Sequence, residues 1–137
     1  MNRMSKKLNK KGFTLAELLI VVAIIAVLVV VSVPIFSSKL EKAREAADVA
    51  NMRAAKAAAV SKYLEDGTDG DFVYDADNGV LKSSADGITK YGQGTGTDGG
   101  VKYTGYENDK SYANLIIKVK IEAETNTSEP KITVAWE

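Results

Sequence analysis

Residues 10–20 read KKGFTLAELLI and combine a basic start, a glycine, an apolar run and one acid within that run. From Leu18 to Phe36, only Ser32 and Pro34 are not plainly hydrophobic. Counted from Phe13, the run reaches the ~20 residues that a helix needs to cross the ~30 Å hydrocarbon layer of a membrane. The sequence therefore predicts a membrane-spanning helix near the amino end.

Glu17 is the unusual residue of this run. A carboxylate at the bilayer centre costs roughly 2.5 to 3.5 kcal/mol on insertion scales, and such residues usually have a partner or a function. One interpretation is that Glu17 stays hydrated close to the headgroups. The other follows from Gly12-Phe13: a cut there would leave a positive α-amino group about one helical turn before Glu17. The two charges would then neutralise each other, within one chain or between adjacent chains.

The segment Lys-Gly-Phe-Thr-Leu-Ala-Glu at 11–17, with the apolar run and Pro34 behind it, resembles the type IV pilin family, which includes pseudopilins. The resemblance covers roughly the first 50 residues of the chain. It implies that a membrane prepilin peptidase cuts after Gly12 and that the new amino terminus at Phe13 is N-methylated. It also implies that Glu17 pairs with the amino terminus of a neighbouring subunit during filament assembly.

Two positions bear on the geometry of the predicted helix. Pro34 lacks an N–H and clashes with the preceding turn, so a kink or local loosening is expected there. The family often has a glycine in the middle of the apolar run, where this chain has Ala26. Alanine is the better helix former by about 1 kcal/mol, which argues against local unwinding between Ala26 and Pro34.

Composition excludes several classes of protein. A chain of 137 residues with such a start leaves room for one small globular domain. It has no cysteine and no histidine, so it lacks disulfides, thiolate nucleophiles and the commonest general base and metal ligand. We therefore predict a protein that is not an enzyme and that has no cofactor.

Charge is distributed unevenly between the start and the remainder of the chain. Five of the 18 Lys and Arg side chains precede Phe13, so the chain from Phe13 onward has 13 basic and 18 acidic side chains. This acidic balance argues against nucleic-acid binding through bulk charge. The five early cations favour a cytoplasmic amino end by the positive-inside rule. An ordinary secretory signal is the rival interpretation, but its apolar core is shorter and ends at a small-residue cleavage site.

One long helix is predicted from Phe13 to about Glu65, with Gly67 as its stop signal. Beyond Pro34 two stripes recur at helical spacing, a small one (Leu40, Ala43, Ala47, Ala50, Ala54, Ala57) and a bulkier one (Val49, Met52, Val60, Tyr63). The bulky stripe would face the chain's own domain and the small one neighbouring helices. Alternatively, both form one intramolecular face.

Short β-prone segments separated by turns follow the predicted helix. Asn78-Gly79 predicts a tight turn between strands near 72–74 and 80–82. Alternating apolar residues predict a closing hairpin from 115–121 and 131–136. We also expect a short strand at 88–91, and a flexible surface loop at 92–100, where the glycines lack the Lys-Ser/Thr ending of a phosphate-binding loop.

The predicted fold class is α+β, with one long N-terminal helix packed against a small C-terminal antiparallel sheet. We expect a leader over 1–12, a transmembrane half-helix over 13–36, an amphipathic half-helix over 37–66 and a globular β domain over 67–137. The leader is the segment that the peptidase would remove.

Closely spaced oxygen ligands suggest a calcium site as a minor alternative. The candidates are Asp66, Asp69 and Asp71, or Asp75, Asp77 and Asn78. Neither set has EF-hand spacing, and Asp and Asn are common in turns for backbone reasons. Our prediction is therefore that no metal is bound.

The resulting functional prediction is a structural subunit of a type IV pilus, a fimbrium used in adhesion and motility. Its partners would be copies of itself, the prepilin peptidase, the assembly platform and minor pilins. It would sit in the cytoplasmic membrane before assembly and in an extracellular filament afterwards. The absence of cysteine favours a Gram-positive source. Two alternatives stay open: a pseudopilin of a secretion or DNA-uptake machine, and a membrane-tethered binding module that does not polymerise.

Overall fold

A computed structural model describes residues 12–126 and 129–137. A single helix, α1 (Leu15–Asp66), precedes four strands: β1 (Gly70–Asp75), β2 (Val80–Lys82), β3 (Ile117–Glu122) and β4 (Lys131–Trp136). The strands form one antiparallel sheet in the order β2-β1-β3-β4. The predicted α+β class is confirmed. Residues 1–11 of the expected leader lie outside the described residues.

The chain divides into two compact units, one ending at Ser37 and the other formed by Ser38–Glu137. In the first unit, α1 is built from Leu, Ile, Val and Ala, and its side chains are exposed throughout. Within the described part of the chain, α1 is the one helix long and apolar enough to cross a membrane. Pro34 lies inside this helix.

The second unit has its core between the sheet and the later part of α1. Ile117, Val119 and Ile121 of β3 are fully buried, while the residues between them are exposed. This alternation is what the predicted strand with one buried face requires. Val49 and Met52 pack into the same core from α1, as expected for the bulky stripe.

The buried face of α1 differs from the predicted stripes at several positions. Val60 of the bulky stripe is 37% exposed, and the alanines that are fully buried are Ala55 and Ala59. The same face buries three carboxylates (Glu41, Glu45 and Asp48). Side chains of this helix are therefore buried where the opposing segment leaves room for a small residue or supplies hydrogen-bond donors. Apolar character alone does not decide which residues are buried.

The predicted tight turn between β1 and β2 is confirmed. Asp75 accepts hydrogen bonds from the Asp77 and Asn78 N–H groups and from the Asn78 side-chain amide, the last at 2.7 Å. Gly79 adopts a left-handed φ of 67°, which glycine tolerates without cost, and its N–H donates to the Asp75 carbonyl. The Asp and Asn residues considered for calcium thus build the turn itself.

The predicted strand at 88–91 is absent. Tyr91 is instead held by its side chain: its hydroxyl donates to the Tyr74 carbonyl and accepts from the Ile117 N–H, both at 2.8 Å. This single phenol links the ends of β1 and β3, and burial raises the pKa of Tyr91 to about 12. A side-chain link replaces the backbone ladder that a strand would have made.

Candidate assembly site

The first turn of α1 contains a reciprocal pair of hydrogen bonds. The Glu17 N–H donates to the Thr14 hydroxyl at 3.1 Å, and the Thr14 N–H donates to the Glu17 carboxylate at 3.2 Å. This is a capping box, in which each side chain satisfies a backbone N–H that the helix itself leaves unpaired. A carboxylate in the first turn also interacts favourably with the helix dipole. Glu17 therefore has a local structural role in addition to any role between chains.

This capping box was not among the features predicted from the sequence. Its signal was present, because Thr14 and Glu17 stand three residues apart just before an apolar run, which is the capping-box spacing. The structure places this box immediately after Gly12 and Phe13, the residues predicted for processing. Phe13 is 79% exposed.

Apolar side chains are exposed from this turn onward along the first unit. Large hydrophobic side chains between Leu18 and Phe36 are all at least 47% exposed, a contiguous apolar surface far larger than a soluble monomer tolerates. Lipid or other apolar surface must cover it. The site thus consists of a capped helix start bearing one carboxylate and a helix that needs an apolar environment.

The second unit contains a set of contacts that the sequence did not reveal. We define the acid clasp as Glu41, Glu45 and Asp48 of α1 together with the loop 92–101. The three carboxylates are at most 2% exposed. Glycine-rich loop backbone supplies most of their donors, so the predicted flexible loop is in fact anchored along the helix.

Each carboxylate of the acid clasp has its own donors. Thr95 donates its N–H and its hydroxyl to Glu41 at 2.9 and 2.7 Å. The Gly99 and Val101 N–H groups donate to Glu45 at 3.0 and 3.3 Å. A loop without any cation can therefore hold buried acids, since every carboxylate has hydrogen bonds that offset its lost hydration.

Asp48 is the most enclosed member of the acid clasp. It accepts from the Gln93 and Gly94 N–H groups at 2.9 and 2.8 Å and from the Tyr106 hydroxyl at 2.7 Å. Burial, and then the hydrogen bond to Asp48, raise the pKa of Tyr106. The Tyr106 phenol thus remains protonated and donates to the Asp48 carboxylate over the whole physiological range.

Two glycines allow the loop to approach the helix closely. A Cβ at Gly99 would lie 2.6 Å from the Lys42 backbone nitrogen, and one at Gly94 would lie 2.3 Å from the Tyr106 hydroxyl oxygen. Both separations are too short for any side chain. The glycines that resembled a phosphate cradle are thus explained by contact with the chain's own carboxylates and helix.

The calcium candidates are not brought together as a site. Among the residues that the structure describes, no group of three or more Asp or Glu side chains is arranged to hold a metal ion. Asp66 ends α1 and pairs with Lys62 at 3.7 Å, while Asp71 lies in β1.

Comparison with known families agrees with the geometry of the helix start. Residues 7–33 match the family model of the prokaryotic N-terminal methylation motif. This motif is the signature of type IV pilins and pseudopilins, so the resemblance predicted from the sequence is confirmed. No curated protein matches the chain, and no solved structure matches it either.

The motif at the start of the chain therefore supports a pilin-like or pseudopilin-like protein. Type IV pilins are structural rather than catalytic proteins, and the motif implies processing by a prepilin peptidase and assembly into pilus-like polymers. The apolar helix and the motif together fit anchoring in a membrane before assembly.

Proposed function

We propose that this protein is the structural subunit of a type IV pilus. In this proposal the peptidase cuts after Gly12, Phe13 becomes the N-methylated amino terminus, and α1 carries the contacts of the filament. The membrane holds the subunit beforehand, with the leader in the cytoplasm, and the assembled filament is extracellular. The observation that carries the proposal is the capped, acid-bearing start of an exposed apolar helix directly after the processing junction.

The first step of the proposed assembly depends on which groups donate hydrogen bonds to the Glu17 carboxylate. In the isolated chain it accepts from the Thr14 N–H. Cleavage adds a positive amino group one residue earlier, at Phe13. A carboxylate has lone pairs for several donors, so Glu17 can keep its capping bond while accepting from the amino terminus of a neighbouring subunit. This pairing removes two charges from the apolar environment at once, which offsets the cost of placing either there alone.

The later parts of α1 would supply the remaining contacts. The exposed apolar side chains of residues 18–36 would exchange lipid for neighbouring helices. Pro34 removes one backbone hydrogen bond of α1, and we propose that this position lets the helix adjust between the membrane and the filament.

The test is the Glu17→Ala variant expressed in a cell with the assembly machinery. We expect normal cleavage, because Gly12 and Phe13 are unchanged, but at least tenfold fewer filaments, since ~1.4 kcal/mol of lost pairing already corresponds to a factor of ten. Electron microscopy counts the filaments, and mass spectrometry of the membrane fraction reports cleavage. Glu65→Ala, which removes an exposed acid at the other end of α1, is the matched control.

Normal filament numbers from Glu17→Ala would contradict the pairing role. The same micrographs separate the pilus from the pseudopilin alternative. Long surface filaments at native expression indicate a pilus, whereas short structures confined to the envelope indicate a pseudopilin. Protein that stays monomeric after extraction from the membrane indicates a tethered module.

A further inference from the structure

The segment that follows the apolar run has balanced charge in the sequence. Between Ser38 and Asp48 there are three basic side chains (Lys39, Lys42, Arg44) and three acidic ones (Glu41, Glu45, Asp48). On an ordinary exposed helix such residues would pair with one another at i,i+3 and i,i+4 spacing and present a neutral surface. The fold keeps only the Arg44–Glu41 pair and separates the other charges.

The acid clasp turns all three acids inward. Glu45 stands three positions after Lys42 and would be its natural partner on a free helix, but its carboxylate accepts from Gly99 and Val101. Lys39 and Lys42 are exposed, and neither forms an ion pair within the described parts of the chain. We call these two lysines the basic collar.

The charged side chains near the basic collar neutralise only part of its positive charge. Arg44 lies 3.6 Å from Glu41, so this cation remains paired. Asp98, an exposed acid of the clasp loop, already accepts from the Gly100 N–H at 2.7 Å and from the Asn108 amide at 3.0 Å. Within the described parts of the chain, the collar thus presents two exposed ammonium groups without an ion-pair partner.

We infer that the basic collar binds anionic phospholipid headgroups while the subunit is anchored in a membrane. Lys39 and Lys42 follow the end of the apolar run at Phe36 by three and six residues, which is where a spanning helix leaves the hydrocarbon layer. Lysines at this depth extend their ammonium groups to headgroup phosphates. The inference rests on the membrane anchoring proposed above and adds a lipid class to it.

The acid clasp is what makes this surface selective for anionic lipid. Were Glu45 free, its carboxylate would repel an anionic headgroup and compete with it for Lys42. Each Lys or Arg near an anionic membrane surface strengthens binding by roughly fivefold. For the two collar lysines a preference of up to roughly 25-fold for anionic over zwitterionic lipid is therefore expected, and it should weaken with ionic strength because exposed charges are screened.

The experiment uses the full chain from Phe13 to Glu137, one copy per nanodisc, in an equimolar mixture of phosphatidylglycerol and phosphatidylcholine. Native mass spectrometry counts the lipids of each class that stay bound to the released protein. We expect phosphatidylglycerol to be enriched at low ammonium acetate concentration, and the enrichment to approach one in Lys39→Gln/Lys42→Gln.

The matched control is Lys56→Gln/Lys90→Gln, which removes the same charge from two exposed lysines farther along the chain. It should keep the enrichment. An unchanged lipid ratio in the collar variant, or an equal loss in the control, would overturn the inference. Failure of the chain to enter the nanodisc would overturn membrane anchoring as well, which distinguishes the two proposals.

A second variant tests the clasp separately from the lysines. Gly99→Ala forces a methyl group against the Lys42 backbone and displaces the loop that holds Glu45. Both collar lysines remain, yet we expect the enrichment to fall toward one because Glu45 regains access to Lys42. If the enrichment stays at the wild-type level in Gly99→Ala, the clasp has no part in lipid selection and that step of the inference is wrong.

Discussion

Glu17 has a defined structural role at the start of α1, and we propose a second role for it in assembly. Its carboxylate closes the capping box with Thr14, at 3.2 Å, and thereby fixes where α1 begins. A cap of this kind is worth about 1 kcal/mol, so it can be retained or exchanged during assembly without a large barrier. In the proposed assembly, the carboxylate that pairs between subunits is already held in position at the start of α1.

Asp75 is the carboxylate whose ionisation the structure shifts most clearly. Hydrogen bonds from the Asn78 amide and from the Lys82 ammonium, the latter at 2.9 Å, lower the pKa of Asp75 to about 2. A folded-state pKa below the unfolded value of ~3.9 means that the unfolded chain takes up the proton more readily. The stabilisation is therefore complete above about pH 4 and is lost as the pH falls toward 2.

We predict that Asp75→Asn lowers the melting temperature of the full chain in detergent at pH 5, and that the difference from wild type shrinks by pH 2. Thermal unfolding followed by circular dichroism measures both. Asp77→Asn, which changes an exposed neighbour in the same turn, should differ little from wild type at either pH. A gap between wild type and Asp75→Asn that does not change with pH would show that the carboxylate is not held ionised.

At the scale of elements, α1 and the loop 92–101 are joined by hydrogen bonds from the loop to three buried carboxylates of the helix. Asp48→Ala would leave the Gln93 and Gly94 N–H groups and the Tyr106 hydroxyl without their acceptor. Each buried unsatisfied donor costs about 1–3 kcal/mol, so we expect the free energy of unfolding to fall by about 3 kcal/mol or more. Urea unfolding of the full chain in detergent measures this loss.

Two further variants test whether the effect of Asp48→Ala is specific to the buried carboxylate. Tyr106→Phe removes only one of the three donors, so its loss should be smaller, about 1 kcal/mol. Glu65→Ala removes an exposed acid from the same helix and should stay within about 0.5 kcal/mol of wild type. Equal unfolding free energies for Asp48→Ala and Glu65→Ala would contradict the acid clasp.

The sequence predicted the elements well because their signals are local. Apolar length and strong helix formers predicted α1 to within two residues at each end, and alternation together with Asn78-Gly79 predicted both hairpins. The acid clasp could not be predicted in this way. Glu41 and Glu45 lie among lysines and alanines, a pattern typical of a solvated helix face, and their donors are backbone N–H groups more than 50 residues away.

Long-range contacts also explain why the flexible loop predicted at 92–100 and the strand predicted at 88–91 were wrong. A run of glycines predicts flexibility, yet Gly94 and Gly99 are required here because the loop backbone touches the helix. The strand expected at 88–91 was wrong because Tyr91 anchors the chain through its hydroxyl instead of through a backbone ladder. In each case a long-range partner, absent from the local pattern, decided the conformation.

At the scale of the whole molecule, one continuous helix serves two different environments. Its first part exposes apolar side chains that water cannot accommodate, and its later part builds the core of a domain with the antiparallel sheet. The prokaryotic N-terminal methylation motif spans residues 7–33, the start of this helix and what precedes it. The match to this motif therefore covers the end of the basic start and most of the apolar run.

The proposed cleavage after Gly12 would create a charged amino terminus one helical turn from Glu17. Mass spectrometry of the amino-terminal peptide, from membranes and from any purified filaments, tests this most directly. We predict a peptide that begins at Phe13 and carries the mass of one added methyl group. A mature protein that begins at Met1, or at any residue other than Phe13, would contradict the account.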